Sequence, residues 1–252
     1  KYDIFFIKVK IMKEYKEKII NLINDIENKE LDNIHKASII MYEVMKNEGL
    51  VHVFATGHSH MFSEELFYRA CGLVQINPIL EPSLMQHEGA VASTQLERQK
   101  GLAQKIYDKW DIRNNECVIV VSNSGINNVP IEFVKIAKEK GNKVIVITSI
   151  ESSKLLKPRN DYNLHLYELG DVCIDNHTPY GDGAIKKEYG AIGACSTICN
   201  TYIAQSLVLE IIKLYESDGV TPPIYLSANT PNGDEHNKKL MEKYQSRIKC
   251  LY

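Results

Sequence analysis

Two unbroken β-branched runs, Cys117-Val-Ile-Val-Val-Ser122 and Lys143-Val-Ile-Val-Ile-Thr148, constrain this chain more than any other feature. A strand with one wetted face alternates apolar and polar residues. A continuous apolar run marks a strand covered on both faces, as in a parallel sheet between helical layers. Val51-His-Val-Phe-Ala-Thr56, Leu73-Val-Gln-Ile-Asn77 and Asp171-Val-Cys-Ile-Asp175 read as three further strands. Helical patterns alternate with them. Phe62, Leu66, Arg69 and Ala70 follow the first strand. Thr94-Gln-Leu-Glu97 has the form of a capping box opening a helix through Leu96, Ala103, Ile106, Tyr107 and Trp110. Pro130 suits the first turn of the next helix and Gly141 its stop. This alternation predicts an α/β three-layer αβα sandwich with a five-stranded, mainly parallel sheet.

The flanks are helical. From Met12 the stripe Ile19, Leu22, Ile23 and Ile26 gives way, after a break near Asn28–Asp32, to Ile34, Ser38, Met41 and Met45. Two helices ending at Gly49 are expected, then a core over 49–220 with a long apolar helix from Ala191 to Glu216. A tail over 221–252 is rich in Pro, Asn and Gly, and is expected to close with a polar helix near Asp234–Arg247. Residues 1–11 precede Met12, are expected to be upstream sequence, and carry no functional reading.

Charged residues make up 25% of the 252, and the formal net charge is −2. No basic excess points to nucleic acid or to an anionic membrane surface. No apolar run approaches the roughly 20 residues of a membrane span. The six cysteines form no CxxC pair and several sit in apolar runs, so reduced core thiols in a cytoplasmic protein are expected.

In open α/β sheets ligands bind at the carboxyl ends of the strands. Two such ends are informative here: Thr56-Gly57-His58-Ser59-His60 and Ser122-Asn123-Ser124-Gly125-Ile126-Asn127. Each places Gly and short hydroxyl or amide side chains before a helix, where unpaired N–H groups and the helix dipole favour an anion. Serines add neutral donors, so a phosphate can be held without Arg or Lys. Taken singly, such residues equally often cap helices. Two such loops on neighbouring strands favour a ligand.

These loops resemble the phosphosugar loops of SIS (sugar isomerase) domain proteins, over roughly residues 40–215. The stretch Ile79 to Arg98, with Glu81-Pro-Ser-Leu-Met85 and His87-Glu88-Gly89-Ala90, is similar to a bacterial subgroup of SIS proteins, some labelled phosphoheptose isomerases. The resemblance implies a flavodoxin-like SIS fold, a phosphorylated sugar as ligand, and Ser59, Ser122, Ser124 and Asn127 as phosphate contacts, and Gly57, His58 and Asn123 of the same two loops are expected beside them. Asn127 stands where the family more often has Thr. No G-x-G-x-x-G follows any strand, so no dinucleotide cofactor is expected, nor any metal, and the resemblance implies a homodimer or homotetramer built through the flanking helices.

Known SIS reactions, isomerisation and β-elimination, remove a proton next to a carbonyl and need a carboxylate or histidine base. Met61-Phe-Ser-Glu-Glu65-Leu resembles the segment carrying the catalytic Glu of phosphoheptose isomerase, which suggests Glu65; Met61 replaces that enzyme's His. Glu88-Gly-Ala resembles the active-site segment of N-acetylmuramic acid 6-phosphate etherases, which suggests Glu88 and its neighbour His87. His236, in Asn229-Thr-Pro-Asn-Gly-Asp-Glu-His236, is a further acid or base candidate from the tail. Each has a plainer reading as a solvated side chain.

The alternatives are a phosphosugar sensor without catalysis and, more remotely, a serine hydrolase using Ser59. Gly57-His-Ser-His-Met61 begins like a nucleophile elbow but has Met where the turn needs a small residue. A metal site from His58, His60 and His177 has no recognised spacing.

Overall fold

A computed structural model describes residues 2–252, with side chains from Lys10 onward. The first element, α1, is one continuous helix, Tyr2–Lys46, where two helices were expected. The apparent break has a chemical cause. Glu30 lies on the core-facing stripe and is buried; its carboxylate meets His177 Nε2 at 3.1 Å and accepts the Asp175 N–H at 3.2 Å. A polar residue thus interrupts the apolar pattern, while Asn28–Asp32, without Gly or Pro, keeps helical geometry.

Five strands follow: β1 (Val51–Ala55), β2 (Ile76–Ile79), β3 (Cys117–Val121), β4 (Lys143–Thr148) and β5 (Val172–Asp175). They form one sheet in the order β2-β1-β3-β4-β5, with every pairing parallel. β2 starts three residues later than expected, because Leu73 bridges Ile224 of the tail and the Val74 N–H binds Pro223 O at 3.0 Å.

The helices between strands are α2 (His60–Leu66), α3 (Ala90–Leu96), α4 (Leu102–Tyr107), α5 (Asn128–Glu139) and α6 (Ile150–Lys154). The capping box predicted at Thr94 does not form. Thr94 lies inside α3 and its hydroxyl donates to Ala90 O at 2.9 Å, so the Glu97 carboxylate is free to act elsewhere. Gly101, at φ +75°, separates α3 from α4, dividing the single helix expected there.

Beyond β5 the chain makes an antiparallel hairpin, β6 (Gly183–Lys187) with β7 (Gly190–Ala194). Next come α7 (Ser196–Ser217) and, in the tail, α8 (Gly233–Glu242). The small residues of β7 had read as the start of α7. They fit close strand packing: a Cβ on Gly183 would come within 2.4 Å of Ala191 Cβ. Another on Gly193 would meet the Tyr15 ring at 2.8 Å.

One core lies between the sheet and α1, α2 and α7; a second lies between the sheet and α4 and α5. Among the described residues no helix is long and apolar enough to cross a membrane.

Candidate functional site

In the order β2-β1-β3-β4-β5 the chain leaves β1 toward one sheet edge and returns through β3 toward the other. The connections diverge and open a crevice above the carboxyl ends of β1 and β3. Those strands are direct neighbours, with Ala55 paired to Val121. A cavity of about 450 Å³ lies there. The β1 exit contributes Thr56, Gly57, His58 and Ser59, and the β3 exit Ser122, Asn123 and Ser124.

Local chemistry sets the shape of the β3 loop. Gly125 sits at φ +61°, and a methyl group there would lie 2.8 Å from Thr148 Oγ1 and 3.0 Å from Leu166 Cβ. Gly125→Ala combines a left-handed backbone with overpacking. It is expected to cost about 1–3 kcal/mol in urea unfolding. The Asn123 carbonyl Oδ1 accepts from Asn176 Nδ2 (2.9 Å) and Thr178 Oγ1 (2.8 Å), and Asn176 in turn donates to Asn200 Oδ1 of α7 (2.9 Å). This buried amide network ties the β3 loop to the β5 exit and α7. The main-chain N–H groups of Asn123 and Ser124 have no protein acceptor among the described residues. Two unpaired main-chain donors and serine hydroxyls therefore stand on residues that line one cavity at the mouth of the sheet, an arrangement suited to an oxyanion.

Asn127 does not line the cavity. It is buried at the start of α5, and its amide donates to the Glu97 carboxylate. Thr56 Oγ1 donates to the same carboxylate at 2.8 Å. Glu97 thus bridges the two loop-bearing strand ends and lines the cavity between them. Burial pushes its carboxyl above the ordinary range, partly opposed by the Thr56 hydrogen bond and by Arg98 and Arg159 nearby.

A second carboxylate faces the cavity from the hairpin side. Asp182, in left-handed conformation after Gly181, accepts from Ser196 N (2.7 Å), Ser196 Oγ (2.8 Å) and Cys195 N (3.2 Å) at the start of α7. Sequence patterning singled out neither carboxylate. Glu97 was absorbed into a helix cap, and nothing in the turn Pro179–Gly183 ties Asp182 to the two loops before the chain folds.

The other acid–base candidates lie away from this cavity. Glu65 accepts from Gln205 Nε2 at 2.6 Å and Arg69 Nη1 at 2.9 Å, on the flank toward α7. Glu88 and His87 are exposed on a short 3-10 turn, 3.6 Å apart, and only Gln86 of that turn reaches the cavity. His236 Nε2 lies 3.0 Å from Ile224 O in the tail. His60 turns Nδ1 back toward Gly57 O at 2.9 Å, its Nε2 is buried without a partner, and burial pulls its pKa down. Ser59 has no side-chain hydrogen bond to a histidine among the described residues, so no nucleophile–base pair forms there. His177 is engaged by Glu30, away from His58 and His60. No group of three or more His, Cys, Asp or Glu positioned to hold a metal occurs among the described residues.

The family model for the SIS domain matches residues 14–149, from α1 through the end of β4. The chain belongs to the SIS-domain family. Its relatives include a UPF0309 protein of Listeria innocua, 41% identical over 243 residues, covering 96% of this chain and 98% of the relative. A UPF0309 protein of Thermoanaerobacter pseudethanolicus is 40% identical over 244 residues, covering 94% and 99%. Among solved structures, a phosphoheptose isomerase from Francisella tularensis matches at TM-score 0.52 and 17% identity, covering 81% of this chain and 98% of that one. The Vibrio vulnificus NanR protein complexed with ManNAc-6P matches at 0.51 and 13%, covering 96% and 70%. At these identities the structural matches establish the SIS architecture alone.

Proposed function

We propose that this SIS domain binds a phosphorylated sugar, with the phosphate held by the Ser122–Ser124 loop together with Gly57, His58 and Ser59. The convergence of unpaired N–H and hydroxyl donors from two adjacent strand ends is the observation that carries the reading. The donors are neutral, so they suit an anion without the help of Lys or Arg. The site also fits a proton transfer next to the sugar carbonyl, as isomerisation or β-elimination requires. Glu97 is a half-buried carboxylate on the cavity wall, and its raised pKa brings it nearer the working range of a general base. His58 supplies an imidazole at the same cavity for the substrate oxygen. Glu65, Glu88, His87 and His236 would need a second subunit or a rearranged loop to reach this ligand. The exposed apolar side chains Met12 and Leu31 on α1 and Leu209 on α7 support assembly of such copies through these helices.

The second reading is a sensor that binds the same ligand without turnover. It draws support from the structural duty Glu97 already performs between Thr56 and Asn127.

Thermal unfolding with a panel of sugar phosphates, the unphosphorylated sugars and inorganic phosphate tests the binding step. A ligand at about 100 times its Kd adds about 2.7 kcal/mol. Phosphorylated sugars are expected to raise Tm, and the Ser122→Ala/Ser124→Ala variant is expected to remove most of that gain while remaining folded. A panel in which no phosphorylated sugar shifts the curve sinks the proposal.

A further inference from the structure

The formal charge on the residues lining this cavity is one-sided, Arg98 and Arg159 standing near Glu97 but outside the lining. Glu97 and Asp182 both line it, and no lysine or arginine does among the described residues. The two carboxylates are held by opposite layers: Glu97 by Thr56 and by Asn127 at the start of α5, Asp182 by the first turn of α7. α5 and α7 pack on opposite faces of the sheet. Both carboxylates line one cavity of about 450 Å³, and charges act on one another over the roughly 8 Å Debye length of physiological solution. A ligand that fills the cavity therefore meets the field of both carboxylates. The phosphate is compensated by the N–H and hydroxyl donors of the two loops, and nothing comparable serves a second anion. At the start of α7 the Asp182 carboxylate already takes the Cys195 and Ser196 N–H groups, and Ser196 is the residue of that helix that lines the cavity.

Resting on the phosphosugar reading above, we infer that Glu97 and Asp182 act as a charge filter. The site accepts sugar phosphates whose remaining skeleton is neutral or carries a protonated amine, and rejects those that carry a carboxylate. The same argument applies to turnover and to sensing, since it concerns entry and binding rather than chemistry. Like-charge apposition of this kind produces specificity through what it excludes. A protonated amine gains what a carboxylate loses, so the order of affinity is amine, then neutral, then acid.

Titration calorimetry on the full chain at pH 7.5 tests this with compounds close in skeleton: glucosamine 6-phosphate, glucose 6-phosphate and 6-phosphogluconate. N-acetylglucosamine 6-phosphate and its 3-O-lactyl ether form a second set. In each of the two sets the acid is expected to bind at least tenfold more weakly than the neutral compound. Size alone could produce such a gap, and the variants separate the causes. In Glu97→Gln/Asp182→Asn the gap is expected to shrink at least tenfold, because both amides keep the side-chain volume. Asp182 also caps α7, so Glu97→Gln alone, expected to close part of the gap, serves if the double variant does not fold. Equal binding of acid and neutral sugars by the wild-type protein, or an unchanged gap in a folded variant, overturns the filter while leaving the phosphosugar site standing. Absence of binding by every phosphorylated compound removes both.

Discussion

Arg247→Ala is expected to destabilise the protein by about 3–5 kcal/mol, the cost of leaving a buried charge without its partner. Arg247 lies just beyond α8 and reaches under the amino ends of the strands. Its guanidinium donates to Glu116 through Nη1 (2.6 Å) and Nη2 (2.8 Å), and through Nε to Asp111 (2.7 Å). Glu116 is 1% exposed and also accepts from Leu50 N (2.9 Å) and Arg113 N (3.0 Å), with His52 Nε2 at 2.8 Å. One carboxylate thus joins the entry to β1, the entry to β3 and the tail. At about 2–4 °C per kcal/mol for a chain of this size, Tm should fall by roughly 10 °C. Lysine at 247 retains the charge but not the two-pronged geometry, so Arg247→Lys should fall between. A loss of less than about 1 kcal/mol in the alanine variant would mean that the tail is not fastened through this pair.

The same carboxylate predicts a pH dependence. Burial alone would raise its pKa; the bonds from His52, Arg247 and the Arg113 N–H outweigh that and hold it well below the usual carboxylate range. A folded-state pKa below the unfolded value adds stability that is fully present above about pH 4.5 and lost as pH falls further. Urea midpoints measured downward from pH 6 should decline more steeply in the wild-type protein than in Glu116→Gln, which has already lost this term.

Glu97→Gln is expected to reduce turnover of whatever phosphosugar the site converts by about 10²–10⁴-fold, the usual contribution of a general base. Glutamine retains the shape, can still accept from Thr56, and can donate to Asn127 once that amide turns its unpaired Oδ1 toward it, so binding of neutral sugar phosphates should change little. A loss in kcat with little change in Kd separates proton transfer from a merely structural role. The pH profile offers an independent readout. A base must be ionised, and burial raises the Glu97 pKa, so activity should climb with pH through a midpoint above the ordinary glutamate value. Should a converted substrate be found and the variant turn it over undiminished, Glu97 is not the base. Should the wild-type protein bind but convert nothing, the sensor reading stands.

The layers of this fold were legible in the sequence because burial on both faces leaves a local mark. Cys117–Val121 and Lys143–Ile147 could be assigned to a parallel sheet from composition alone. The two loops were legible for a similar reason, since Gly57 and Gly125 with their hydroxyl neighbours follow strands directly in the chain. Charged residues doing structural or cavity work left no such mark. Glu30 interrupts an apolar stripe and so imitated a loop, and its partner His177 lies 147 residues away. Glu97 had the spacing of a helix cap, while Thr56 and Asn127, which orient it, stand 41 and 30 residues off. Asp182 acquires its partners only when β6 and β7 fold back to the start of α7.

The sequence by itself therefore determined the sheet, the helical layers and the position of the two donor loops, because secondary-structure period and turn chemistry act over a few residues. Only the tertiary structure decided which acidic groups line the cavity at the strand ends. That depends on packing partners distant in the chain, and a carboxylate shows its role only through what surrounds it.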